Sequence, residues 1–199
     1  MSTDLSILSM ALTFFLVANP IGNSPTILAL LKNFSFEKQK KIMLRESLIS
    51  LLIALFFQYF GEAFLNTLHV SRPALTLTGG LVLFNTALHM IFQKPETPNE
   101  VENYQEPFIV PIATPLISGA GLMTIIMINA ATAQDNLSIT LAILTAWVGV
   151  TFVLVAAPYI QKILGKRGMA ALEQIMAMLL GLMSMDMLIK GTSLFLKTL

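Results

Sequence analysis

An all-α membrane protein of six transmembrane segments, arranged as two inverted three-segment repeats with segments 1 and 4 broken or re-entrant, is the fold class the sequence predicts. Three observations lead there. First, the 199 residues are 55% hydrophobic and only 12% charged, with a mean hydropathy of +0.76, whereas soluble domains carry about 25% charged residues. Second, charged residues bound six apolar runs, at 5–31, 47–68, 73–92, 107–134, 137–161 and 169–189. Third, the first and fourth runs contain matching interruptions.

Roughly 20 apolar residues cross a bilayer core of about 30 Å, and the second, third, fifth and sixth runs fit that length. The first and fourth carry no charge, yet each would be about 40 Å long as one straight helix. Both hold helix-breaking sequence: Asn19-Pro20-Ile21-Gly22-Asn23-Ser24-Pro25, and Pro111 through Pro115 to Ser118-Gly119-Ala120-Gly121. Proline removes an amide donor and clashes with the preceding turn, and glycine frees the backbone. The expected breakers are therefore Pro20, Gly22 and Pro25 in the first run, and Pro115, Gly119 and Gly121 in the fourth.

The two interruptions lie 95 positions apart, Asn19-Pro20 against Thr114-Pro115, and Leu81 to Phe84 lies 98 positions before Leu179 to Leu182. Three spans per half, an odd number, invert the second copy relative to the first. This predicts one repeat at 1–92, a Pro-, Asn- and Glu-rich linker at 93–106 and a second repeat at 107–199. Nine of the twelve Lys and Arg residues fall in the first, third and fifth connections. The positive-inside rule then places loops 32–46, 93–106 and 162–168 in the cytoplasm and both termini in the periplasm. Met1-Ser2-Thr3-Asp4 lacks the basic region of a signal peptide, so the first apolar run is expected to stay in the mature chain.

Irregular backbone at membrane depth persists only inside protein or beside a water-filled cavity. Paired breaks therefore predict a polar site where a half-helix N-terminus presents N–H groups to an anionic group. Its lining side chains are Asn19, Asn23, Ser24, Thr114 and Ser118, none of them ionisable, which suits a neutral or zwitterionic small-molecule solute. Close packing between repeats, with no ligand, is the competing reading of the same small residues. Ionisable residues in or near spans are the candidates for proton or sodium coupling: Glu62, His89, Glu173 and Asp186. Glu62, His89 and Asp186 lie near span ends, where an interfacial role competes, and Glu173 could favour a helix N-terminus or pair with Arg167. Arg45-Glu46 reads as an interfacial anchor.

Several classes are excluded or left without support. The absence of cysteine removes disulfides and thiolate chemistry. Met169, Met176, Met178, Met183, Met185 and Met187 lack His or Cys companions and read as apolar filler rather than a copper site. Histidines occur only at 69 and 89, without a phosphate loop or nucleophile elbow, so no enzyme, cofactor or metal is expected. The net charge of +1 offers no polybasic nucleic-acid face. The expected partners are the lipid bilayer and a solute, while Gly and Ala on helix faces permit self-association into a homo-oligomer without requiring it.

The paired breaks, together with Arg45-Glu46, Glu106 to Pro111 running into Ala113-Thr114-Pro115-Leu116, and Ala171-Leu172-Glu173, resemble the MarC family of bacterial inner-membrane proteins over essentially the whole chain. Ala120 departs from the proline common in relatives, and His89 from a frequent acidic residue. The resemblance implies a six-segment inner-membrane protein; an archaeal relative is regarded as a neutral amino-acid transporter. It supplies no functional residues.

Overall fold

A computed structural model describes residues 2–92, 106–132 and 135–198. Residues 93–105 of the predicted linker, and the end of the fourth run at 133–134, lie outside the described residues. The fold is helical: α1 (Ser2–Ala18), α2 (Pro20–Leu30), α3 (Phe36–Thr67), α4 (Arg72–Phe92), a π-helical turn (Ile112–Ile117), α5 (Ala120–Thr132) and α6 (Asn136–Leu196). Ile7–Leu30, α3, α4 and α6 are each long and apolar enough to cross a membrane. With 32 residues, α3 extends about 48 Å, so its first turns, bearing Glu37, Lys38, Lys40, Lys41 and Arg45, reach beyond a 30 Å apolar core.

The expected loop at 162–168 is instead helical on both sides of a single sharp bend. Gly165, at φ 66° and ψ −179°, adopts a backbone conformation open essentially to glycine alone. It divides α6 into arms at 136–164 and 166–196. The first arm runs antiparallel to α3: Gln58 donates to the Thr140 hydroxyl at 2.8 Å, Ser47 meets Thr151 at 2.5 Å, and Lys40 reaches the Tyr159 hydroxyl at 3.3 Å. The second arm runs antiparallel to α4, where Gly80 faces Leu188 and Gly191 faces Leu77. Lys38, Glu106, Lys40 and Tyr159 gather at one end of the bundle, while Arg72 donates to the Ala131 carbonyl at the other.

Packing is inside-out relative to a soluble protein. The buried stripe of α3 comprises Glu46, Ser47, Ser50, Ala54, Gln58 and Gly61 beyond Ile42 and Met43, while Leu44, Leu48, Leu52, Phe56, Phe60 and Phe64 point outward. On α4, Thr76, Gly79, Gly80 and Ala87 face inward and Leu81 outward. A lipid-facing surface explains this, because apolar side chains gain nothing by leaving hydrocarbon and small residues let helices approach. The large buried side chains, among them Phe14, Ile27, Ile42, Ile117, Ile126, Ile143 and Leu154, fill the space between α1, α2, α3, the π-helical turn, α5 and the first arm of α6.

Close approach is most demanding between α4 and α5, where a methyl group on Gly79 would overlap the Thr124 side chain and one on Gly121 would overlap Leu83. Gly79→Leu is predicted to cost about 1–3 kcal/mol through overpacking, whereas Leu81→Ala on the outward face should stay within about 0.5 kcal/mol. Thermal unfolding midpoints in detergent check the contrast.

Candidate functional site at the two helix breaks

The first break falls on one residue, Asn19, at φ 50° and ψ 49°, the left-handed conformation that Asn tolerates better than most residues. Its side chain, 1% exposed, caps α2 by accepting from Gly22 N at 3.1 Å and donates to the Met90 sulfur at 3.3 Å. Pro20 occupies the first helical position, where its missing N–H costs nothing. Gly22 and Pro25, expected from sequence as breakers, lie within α2. Gly22 serves close approach instead, since a Cβ there would meet the Asn19 amide at 2.5 Å and the Met90 methyl at 2.7 Å.

The second break centres on Thr114, whose φ of −137° and ψ of 128° are the extended angles that a following proline, Pro115, imposes on its predecessor. Upstream, Ile109 holds a φ of 64°, a costly conformation for a β-branched residue, and its carbonyl accepts from Thr114 N at 3.0 Å. Gly119 lies between the π-helical turn and α5, where a Cβ would meet the Pro115 carbonyl at 2.9 Å, while Gly121 lies inside α5 against Leu83.

The breaks touch. Asn23 Nδ2 donates to the Leu116 carbonyl at 2.6 Å and the Ala18 carbonyl at 3.2 Å, so one side chain joins the two interruptions. Ser24 donates to the Pro20 carbonyl at 2.6 Å, and Ser118 to the Ser50 carbonyl of α3 at 3.0 Å. Sequence reasoning expected unsatisfied N–H groups aimed into a cavity. In this conformation the α2 terminus is capped by its own Asn19, and Asn23, Ser24 and Ser118 are hydrogen-bonded to backbone carbonyls. Thr114 is different: its hydroxyl is buried and has no partner among the described residues.

The residue that sequence reasoning misplaced is Glu46. Far from anchoring at an interface, it is 0% exposed. Arg45 Nε and Nη2 donate to Glu46 Oε1 at 3.0 and 2.8 Å, while Oε2 is buried without a partner among the described residues. Arg45 also reaches Glu106 at 2.6 Å and the Pro107 carbonyl, and lies over the Phe108 ring. Beside Glu46, Ser47 and Ser50 accept from Trp147 Nε1 at 3.0 Å (carbonyl) and 3.1 Å (hydroxyl). A signal was present in the sequence: positions 46, 50, 54, 58 and 61 repeat polar or small residues at helical spacing within an apolar run, marking an inward face.

The expected coupling residues lie elsewhere. Glu62 is exposed with Arg72 at 4.0 Å, and Asp186 is exposed and paired with Lys190 at 2.6 Å. His89 is exposed in the last turn of α4. Glu173 is half-buried in the second arm of α6 and forms no ion pair with Arg167 among the described residues. A groove of about 930 Å³ between α3 and the first arm of α6, lined by Leu44, Leu48, Val148 and Phe152, contains none of the break residues.

Asn23→Ala, which strands two carbonyls, is predicted to lower stability by about 1–3 kcal/mol, while Thr114→Val should be neutral or stabilising; denaturation in detergent distinguishes them. Hydrogen bonds from Lys38, then Arg45, hold the Glu106 carboxyl below its ordinary value. Its folded value being the lower one, this clamp contributes fully above the ordinary carboxylate range and fades as pH falls through the depressed value. Thermal midpoints of the wild type and Glu106→Gln should differ at neutral pH and converge in acid.

The chain's similarities are consistent over its length. A family model described as MarC family integral membrane protein matches residues 5–196. The UPF0056 inner membrane protein YhgN of Escherichia coli is 32% identical over 193 residues, covering 96% of this chain and 98% of the relative. A UPF0056 membrane protein of Chlamydia muridarum is 34% identical over 190 residues, 94% and 93% of the two chains, and one from Buchnera aphidicola is 29% identical over 186 residues, 93% and 95%. No solved structure matches. The chain belongs to the MarC family of integral membrane proteins.

Proposed function

We propose that the protein is a carrier, not an enzyme, which moves small neutral or zwitterionic solutes, most simply small amino acids, across the inner membrane by alternating access. The observation that carries this reading is the Asn23–Leu116 contact of 2.6 Å, which joins the breaks of the two halves in the interior. Breaks at corresponding positions of two repeats are where such carriers bind solute. In this reading residues 1–92 and 107–199 are inverted repeats of three segments each, with the Gly165 bend separating the fifth and sixth. The antiparallel pairing of α3 with the first arm of α6, and of α4 with the second, fits a two-fold relation in the membrane plane. The charged end bearing Lys38, Arg45 and Lys40 faces the cytoplasm, and both termini face the periplasm.

Apart from the Thr114 hydroxyl, the polar side chains at the breaks, Asn19, Asn23, Ser24 and Ser118, are hydrogen-bonded internally, as suits an occluded, solute-free carrier, in which polar groups find internal partners when no solute is bound. Rocking the halves apart separates Asn23 from Leu116 and offers both to solute. The same closure favours a second reading, a non-transporting scaffold in which the breaks serve only to lock the halves.

Counterflow of labelled neutral amino acids in liposomes, with and without proton and sodium gradients, separates these readings. Saturable counterflow is expected, with Thr114→Val raising the half-saturation concentration about threefold to tenfold, the worth of one hydrogen bond. Flux linear in concentration without counterflow would indicate a pore, and absence of flux from folded, inserted protein would indicate the scaffold.

A further inference from the structure

Two buried oxygens without a hydrogen-bond partner among the described residues, Glu46 Oε2 and Thr114 Oγ1, lie on the two elements that meet at the second break, α3 and the π-helical turn. Glu46 has no exposed surface, and its Oε2, like Thr114 Oγ1, has no partner among the described residues. Their placement is fixed from both ends. Arg45, adjacent to Glu46, holds the Pro107 carbonyl, and Ser50, one helical turn beyond Glu46, receives Ser118 at 3.0 Å. Residues i and i+4 share a helix face, so the turn of α3 carrying Glu46 lies against the 107–118 stretch, where Thr114 stands between the two anchors.

Among the described residues, the groups bonded to Glu46 and its neighbours lie on three elements. On α3, Arg45 covers Oε1 only, and its other hydrogen bonds go to Glu106 and the Pro107 carbonyl. On the stretch opposite, Glu106 is shared between Arg45 and Lys38, the latter at 2.9 Å. On α6, Thr151 and Trp147 are neutral and engage Ser47 and Ser50. Within this group of four, Lys38 and Arg45 balance Glu46 and Glu106, and Oε2 has no donor among the described residues. The missing partner must donate, and an ammonium group has three donors and no acceptor. A zwitterion would bring that group without adding net charge, whereas a free cation would add one.

We propose that Glu46 Oε2, with Thr114 Oγ1, receives a small monovalent cationic group, the ammonium of a zwitterionic solute. This rests on the carrier reading and names the side chain that would recognise the solute. The full-length protein, purified in detergent, is titrated calorimetrically with alanine, with propionate (no ammonium), with ethylamine (no carboxylate), and with sodium chloride against choline chloride. Alanine binding to the wild type is expected, at least tenfold weaker for propionate and for Glu46→Gln, and several-fold weaker for Thr114→Val. Sodium binding lost in Glu46→Gln, without alanine binding, would keep the cation site and assign it to a free ion. Equal binding of alanine and propionate, unchanged alanine binding in folded Glu46→Gln, or no binding of any probe to the wild type would overturn the proposal. Should Glu46→Gln fail to fold, Thr114→Val and the alanine–propionate comparison still decide it. Counterflow unaffected by Glu46→Gln would remove this site and leave the carrier standing; Glu46-dependent binding without counterflow would do the reverse.

Discussion

Backbone groups released by a helix break have no water to turn to at membrane depth, and an unpaired one costs several kcal/mol. Much of the interior follows from meeting that demand at two places. Asn19 caps the helix that starts after it, Ser24 covers the Pro20 carbonyl, and Asn23 spans from the Ala18 carbonyl to that of Leu116. Because Leu116 belongs to the other half of the chain, satisfying the first break also ties it to the second. Ser118 extends the tie to α3 through the Ser50 carbonyl. Small amide and hydroxyl side chains suit the task, being short enough to reach the backbone and uncharged.

The helices around this centre are held by closeness rather than by expulsion from water. Where α4 meets α5 and the second arm of α6, glycines bring backbone against side chain, and dispersion accumulates over the contact. Leucine and phenylalanine cover the outside of α3, where a soluble protein would carry charge. Along the middle of α3 bulk faces outward and small or polar residues face other helices, while large apolar side chains such as Phe14, Ile126 and Leu154 fill the interior elsewhere.

One end of the bundle is organised by charge. Arg45 reaches Glu46 within its own helix and Glu106 and Pro107 on the stretch that enters the second break, with Lys38 completing the set. A guanidinium can serve three acceptors at once because its donors are spread around a planar fork. This clamp seats the irregular segment 106–118 against α3, on the turn that carries the buried Glu46.

Helical class, membrane character, the apolar runs and the two interruptions were legible because they depend on local properties: hydropathy over a window, charge spacing and proline sterics. The proline at 115 even dictated the extended Thr114 before it. Other features depended on which surfaces meet. Gly22 and Pro25 read as breakers, yet Asn19 alone absorbs the turn, since a capped helix can start at Pro20 and run on through position 25. Gly165 bent α6 where a loop was expected, because a single glycine angle suffices to reverse an otherwise helical run. Glu46 looked like an anchor at the start of a span, and only the docking of 106–118 onto α3 buries it. Local chemistry determined where the chain is helical and where it breaks; tertiary packing decided which polar groups satisfy one another and which, Glu46 Oε2 and Thr114 Oγ1 among them, are buried without a partner among the described residues, because hydrogen-bond partners distant in sequence are chosen by contact.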